Sequence, residues 1–156
     1  MRKELTTPQL REAVEHILAQ RSRIPSDAIL LTRLLPTLVD CDGPGRSLEF
    51  AYDTQPWMTN PMGMVHGGVI ATMVDNAMGM SCSCLCGHST PTVTMNVSYA
   101  RSVPLNARVH LRTRVLYCGS TTAQVTAEIY LPEQPDRVLV SASGVYFTKP
   151  LPGKEK

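Results

Sequence analysis

The sequence lacks a strong charge of either sign: 15 Lys and Arg stand against 13 Asp and Glu, for a formal net charge of +2. That is too little to draw a polyanion such as nucleic acid, although a small ligand with a few phosphates remains compatible. Charged residues make up only 18% and apolar residues 43%, which excludes disorder and fits an ordinary globular chain. No internal repeat or low-complexity tract is present. The opening stretch, MRKELTTPQLREAVEHILAQR, scatters its charges and contains no apolar h-region, so no secretory signal is read there. An unbroken apolar run of the roughly 20 residues needed to span a membrane is missing too. The most apolar stretch, VIATMVDNAMGMSCSCLCG, is interrupted by Asp75 and rich in small side chains, and it reads as a buried helix. The five cysteines (Cys41, Cys82, Cys84, Cys86 and Cys118) are odd in number and lack the paired C-x2-C spacing of zinc sites. Free thiols in a reducing cytoplasm are expected.

At 156 residues the chain is long enough for one domain with a respectable core. A first helix is expected from a Thr7 cap and Pro8 at its start, with Leu10, Ala13, Val14, Ile17 and Leu18 on one face. A short second helix is expected over Asp27–Leu35, ending before Pro36. Strands Thr37–Cys41 and Arg46–Asp53 flank the turn Asp42-Gly43-Pro44-Gly45. A structured loop over Thr54–Val65 leads into a central helix running from His66 or Gly67 to about Cys84. Gly87-His88-Ser89-Thr90-Pro91 breaks that helix. Four strands follow, Thr92–Ser102, Ala107–Cys118, Thr121–Leu131 and Arg137–Lys149. Val109, Leu111, Thr113 and Val115 alternate onto one face, as do Val125, Ala127 and Ile129. One long helix, apolar nearly all round, with antiparallel strands before and after it, implies an α+β layout in which the sheet wraps the helix. The expected divisions are a helical extension over 1–36, the sheet-and-helix domain over 37–149 and a tail over 150–156.

Residues 60–77 carry the chemistry. Gly67 and Gly68 at a helix start let a ligand approach the backbone closely and leave N–H groups free at the positive end of the helix dipole. Such donors polarise a carbonyl and stabilise the oxyanion formed on its attack. Asp75 lies two turns further in, among Val, Ile, Ala and Met, where a carboxylate is expensive without partners or a task. His66 and Asp75 are separated by about 180° of rotation and ~13 Å of rise on one helix, so they do not converge on one substrate atom within a chain. If both serve one site, that site is built across a dimer.

Asn60, the His66-Gly67-Gly68 triplet and Asp75, followed by Asn76-Ala77-Met78-Gly79, resemble the signature of PaaI-like thioesterases of the hotdog-fold superfamily. The strand Thr92-Val93-Thr94-Met95-Asn96-Val97-Ser98-Tyr99 resembles the next strand of that family. The likeness runs from about Arg46 to Thr148, roughly two thirds of the chain. It implies a hotdog fold and hydrolysis of acyl-CoA to free acid and CoA, with no cofactor or metal. By the same resemblance Asp75 serves as general base or nucleophile, and the Gly67 N–H with the Asn60 side chain polarises the thioester carbonyl. His66 shapes the helix start, Thr92 orients the water, and Gly68 and Arg101 contribute to substrate binding. Homodimers or homotetramers, with CoA along subunit interfaces, are implied as well.

Each residue has a plainer reading. Asp75 as a structural carboxylate, His66 as a backbone partner, and Asn60 as the nucleus of an Asn-Pro turn all fit the sequence. Cys82, Cys84 and Cys86 near His88 read better as small packing residues than as a metal set, because adjacent members of the series diverge by about 200° on a helix. Arg108, His110, Arg112 and Arg114 read as a solvated sheet face, with the phosphates of CoA as the functional alternative. The methionines at 58, 62, 64, 73, 78 and 80 suit core packing or an acyl pocket. A non-catalytic acyl-CoA-binding or sensing module of the same fold is the rival to catalysis.

Overall fold

The computed structural model describes residues 4–26, 28–87 and 90–148. Asp27, His88, Ser89, Lys149 and the tail over 150–156 lie outside the described residues. The chain opens with α1 (Thr7–Ser22) and a four-residue α2 (Leu30–Arg33), followed by β1 (Thr37–Asp42) and β2 (Ser47–Asp53). A 3-10 turn at Pro56–Met58 precedes the long helix α3 (Gly67–Cys86). Four strands complete the fold: β3 (Thr92–Tyr99), β4 (Arg108–Cys118), β5 (Thr122–Tyr130) and β6 (Val140–Phe147).

The six strands form one sheet in the order β1-β2-β4-β5-β6-β3, with antiparallel pairing throughout. The sheet curls over α3, which is the expected α+β arrangement of a hotdog fold. Alternation explains which face is inward. Val109, Leu111, Thr113 and Val115 of β4, and Ala123, Val125, Ala127 and Ile129 of β5, are all buried against the helix. From α3, Ile70, Met73, Val74, Ala77, Met78, Met80 and Cys82 meet them. By length and composition α3 is apolar enough to cross a membrane, yet the sheet covers most of it, as the sequence reading expects of a buried helix. Deep in this layer the Ser81 and Thr113 hydroxyls lie 2.7 Å apart, and each is also within hydrogen-bond reach of a backbone carbonyl, Ala77 O and Leu48 O respectively.

Local chemistry sets the element ends. The cap of α1 is Thr6, one residue earlier than expected, and it forms a capping box with Gln9. Leu10 and Val14 then dock in the core between β1 and α3. The second helix is shorter than the Asp27–Leu35 reading, a single turn without a side-chain cap. At its far end α3 runs to Cys86, two residues beyond the expected stop, and Gly87 terminates it with φ +74°, a left-handed conformation that glycine adopts without strain.

Two features depart from the sequence reading. Cys86 is bonded to Cys118 in a disulfide that joins the end of α3 to the end of β4, with Cα atoms 6.5 Å apart. Only Cys41, Cys82 and Cys84 are therefore free thiols, and burial pushes those of Cys82 and Cys84 up to about 12. A count of cysteines along the chain cannot reveal that two distant element ends meet in space. The second feature is the cationic row on β4, in which Arg108, His110 and Arg112 are paired rather than merely solvated. Arg108 grips both oxygens of Asp53 at 3.0 Å, and His110 Nδ1 lies 2.6 Å from Glu49 Oε1. Arg112 donates to the Tyr130 hydroxyl at 2.7 Å and reaches the second Glu49 oxygen.

This outer cluster couples stability to pH. Burial of Glu49 pushes its carboxyl up, but the Tyr130 hydroxyl, the His110 ring and the Arg112 charge outweigh burial and hold it below the ordinary 4.5. A carboxyl depressed in the folded state stabilises above its unfolded value, and that contribution disappears as pH falls through the folded value. Glu49→Gln is expected to lower the thermal midpoint at pH 7 by roughly 2–4 °C, the shift that about 1 kcal/mol produces in a chain of this size. The gap from wild type closes as the pH falls through the depressed folded-state value; a scanning-calorimetry series that keeps a constant gap contradicts the assignment.

Candidate active site

The loop before α3 folds around Asn60. Its Oδ1 accepts from the backbone N–H of Met62 at 2.9 Å and of Met64 at 3.1 Å. Gly63 completes the turn at φ +76°. The Asn-Pro turn reading is thus realised by the side-chain oxygen, while the side-chain amide N–H groups of Asn60 have no acceptor among the described residues. Val65 then hydrogen-bonds Val103, and His66 N donates to Met58 O at 2.7 Å, which fixes where the helix begins.

His66 is the N-cap of α3. Its Nδ1 accepts from Gly68 N at 2.9 Å, so that lone pair is used for holding the helix start. A Cβ at position 68 would sit 3.2 Å from this ring nitrogen, tight enough that glycine suits the capped turn. Gly67 N–H, by contrast, has no acceptor among the described residues and stands at the positive end of the helix dipole. Tyr99, half exposed at the end of β3, donates to Gly67 O at 3.0 Å and lays its ring beside the same glycine. Two residues on, Arg101 donates to Val138 O at 2.6 Å, so it belongs to the helix-start end of the fold but is tied to the approach to β6.

Asp75 is partly buried on the side of α3 that faces β3 and β6. Its Oδ1 accepts from Thr92 Oγ1 at 2.6 Å and from Tyr146 Oη at 2.8 Å. The helix, the edge strand and its neighbour therefore converge on one carboxylate oxygen, and Oδ2 has no donor among the described residues. Burial pushes the Tyr146 phenol far above its ordinary value, and the Asp75 charge adds to the effect, so the hydroxyl stays a donor. Asn76, the next residue, accepts from Arg21 of α1 at 2.6 Å. Desolvation lowers the pKa of that half-buried guanidinium.

The structure thus brings Thr92 to Asp75, and gathers His66, Gly67, Gly68 and Asn60 at the helix start with Arg101 nearby. The two groups lie about 12 Å apart along the helix, eight residues at 1.5 Å each. Tyr146 was not singled out in the sequence. Its signal is there: Val140, Ala142, Gly144 and Tyr146 share the inward face of β6, which puts one tyrosine among small residues directly against α3. Of the methionines near the motif, Met58, Met73, Met78 and Met80 are core, whereas Met62 and Met64 are exposed on the Asn60 loop.

One antiparallel sheet curled around a single long helix is the hotdog fold. Comparison with known proteins agrees. A model of the thioesterase superfamily matches residues 62–138. The acyl-coenzyme A thioesterase THEM4 of Xenopus laevis is 31% identical over 53% of this chain; the match spans 42% of that relative, less than half its length. Among solved structures, zebra fish thioesterase superfamily member 2 superposes with a TM-score of 0.73 at 20% identity, covering 93% of this chain and 99% of that one. The E. coli PaaI protein from the phenylacetic acid degradation operon gives 0.69 at 15% identity, over 87% and 96%. Over residues 62–138, then, the chain is similar to the thioesterase superfamily, and it shares its hotdog fold with the E. coli PaaI protein.

The capping role of His66 has a direct check. His66→Ala is expected to cost about 1 kcal/mol of stability, as loss of an N-cap does, with the slope of the urea transition unchanged. His66→Asn, which supplies another capping oxygen, should recover most of the loss. Equal midpoints for wild type and His66→Ala would remove the capping assignment.

Proposed function

We propose that the protein is an acyl-CoA thioesterase in which Asp75 activates water and a helix start polarises the thioester carbonyl. The observation that carries this reading is the clasp on Asp75: one oxygen held by two hydroxyls, the other without a donor among the described residues. The single proton of Thr92 goes to Asp75, so toward a water molecule its hydroxyl can only accept. A water donating one proton to Thr92 Oγ1 and the other to Asp75 Oδ2 presents its lone pair outward, to the acyl carbon. Attack forms the C–O bond and passes the water proton to Asp75. The oxyanion takes the Gly67 N–H and the Asn60 amide N–H. Collapse breaks the C–S bond, and Asp75 returns its proton to the departing CoA thiolate, leaving a free acid. A thioester has a good enough leaving group for this without a Ser/His pair.

The separation along α3 means that the helix start and Asp75 of one chain do not meet at one carbon, so the proposed site is shared between two copies. β3 supports this, because it is the sheet edge, carries Asp75's partner Thr92, and leaves Val93 and Tyr99 more than half exposed. Pairing of β3 with β3 of a second copy is the proposed dimer, from which a tetramer can be built. The THEM4 likeness supports a CoA thioester as substrate. A cytoplasmic setting is part of the proposal; the three free thiols favour it and the Cys86–Cys118 bond weighs against it.

Four measurements test the reading. In a thiol-release assay across acyl-CoAs, Asp75→Ala is expected to lose about 10³-fold in kcat, within the range for a positioned general base; retained activity contradicts it. Thermal stabilisation of the wild type by CoA thioesters without any thiol release would favour the non-catalytic binding module instead. Mixed dimers of Asp75→Ala and Asn60→Ala subunits should recover part of the activity that each lacks, and no recovery counts against a shared site. Asn60→Asp keeps the oxygen that accepts from Met62 and Met64 but removes the amide donors. It should unfold within a few degrees of wild type and lose roughly 10²-fold in kcat, the usual loss for one oxyanion donor. Full activity in that variant would reduce Asn60 to its turn.

A further inference from the structure

Asp75 is held from a direction that the sequence motif does not contain. Tyr146 is 1% exposed, and its Oη lies 2.8 Å from Asp75 Oδ1 and 3.3 Å from the Asp75 backbone carbonyl. A phenol has one proton, and the shorter, charge-assisted contact to the carboxylate takes it. The ring reaches this place because two glycines leave room on either edge. A Cβ at Gly79 of α3 would lie 3.4 Å from Tyr146 Cε1. At Gly144 of β6 it would lie 3.0 Å from Cε2, with Met78 and the Thr94 carbonyl scarcely further off. Helix and strand are thus shaped around the tyrosine, and the tyrosine delivers one hydroxyl to one oxygen.

The second hydroxyl, from Thr92, comes to the same oxygen from the other strand. Rotation of a carboxylate about its terminal torsion is otherwise soft. Two donors anchored on β3 and β6 remove that freedom and occupy Oδ1, which leaves Oδ2 as the oxygen with open lone pairs. We infer that Tyr146 is a positioning residue for Asp75: its hydroxyl, together with that of Thr92, dedicates Oδ1 to the fold and presents Oδ2 to the reacting centre. The inference deepens the thioesterase reading and rests on it for the kinetic half of its test.

Tyr146→Phe in the full chain keeps the ring in its glycine-flanked slot and removes only the donor. The expected result is a thermal midpoint within a few degrees of wild type, KM for the best acyl-CoA within about twofold, and kcat lower by about tenfold. A merely structural tyrosine would change stability without this split between kcat and KM. A kcat within twofold of wild type, or a loss carried by KM, overturns the inference. A second reading needs no turnover. With aspartate carboxyls labelled by 13C, the Asp75 resonance should be displaced in Tyr146→Phe while that of Asp53, on the opposite side of the sheet, stays in place. An unmoved Asp75 resonance overturns the inference. Absence of thiol release from every CoA thioester by the wild type sinks the thioesterase reading alone, and the carboxyl resonance then decides the role of Tyr146 separately.

Discussion

The arrangement depends on one carboxylate being tolerable inside an apolar helix. Asp75 sits on α3 among Met73, Val74, Ala77 and Met78, in surroundings where an ion without partners would cost several kcal/mol. Thr92 and Tyr146 make it tolerable by offering short hydrogen bonds to one oxygen. Those bonds do structural work as well, since they pin the helix to β3 and β6. The same constraint leaves the other oxygen without a donor among the described residues, and the proposed thioester chemistry uses that half-satisfied carboxylate.

The helix start is built on a similar economy. His66 uses one ring nitrogen to close the first turn, and Asn60 uses one oxygen to close the preceding loop. Each residue consumes an acceptor for folding, and beside them the Gly67 N–H and the Asn60 amide have no acceptor among the described residues. Donors at a helix N-terminus and an acceptor two turns along have complementary chemistry but stand too far apart to serve one atom. The edge at β3, next to Thr92, is where the proposed dimer would bring them together.

Away from this region the fold spends its polar groups on holding the sheet. Glu49, His110, Arg112 and Tyr130 form a compact cluster across β2, β4 and β5, and Arg108 pairs with Asp53 beside it. Arg21 of α1 crosses to Asn76, so the N-terminal helix is tied to the helix that carries Asp75. The extension is therefore packed against the core through both Leu10 and Val14 and through this polar contact.

Much of this was legible in the residues themselves. The period of two in β4 and β5 identifies their buried faces, and the apolar run with its glycine start identifies α3, because these patterns follow from local geometry and from the need to hide one face from water. The motif from Asn60 to Asp75 marks the candidate site for a related reason, since glycines at a helix start and a carboxylate in an apolar helix are locally unfavourable unless used. What the linear order could not reveal was which distant groups meet. That Tyr146 lies 71 positions beyond Asp75 and still completes its clasp, that Cys86 bonds Cys118, and that Glu49 gathers His110 and Arg112 all depend on strand order and register. Those are set by packing of the whole sheet against α3, and no stretch of neighbouring residues contains them.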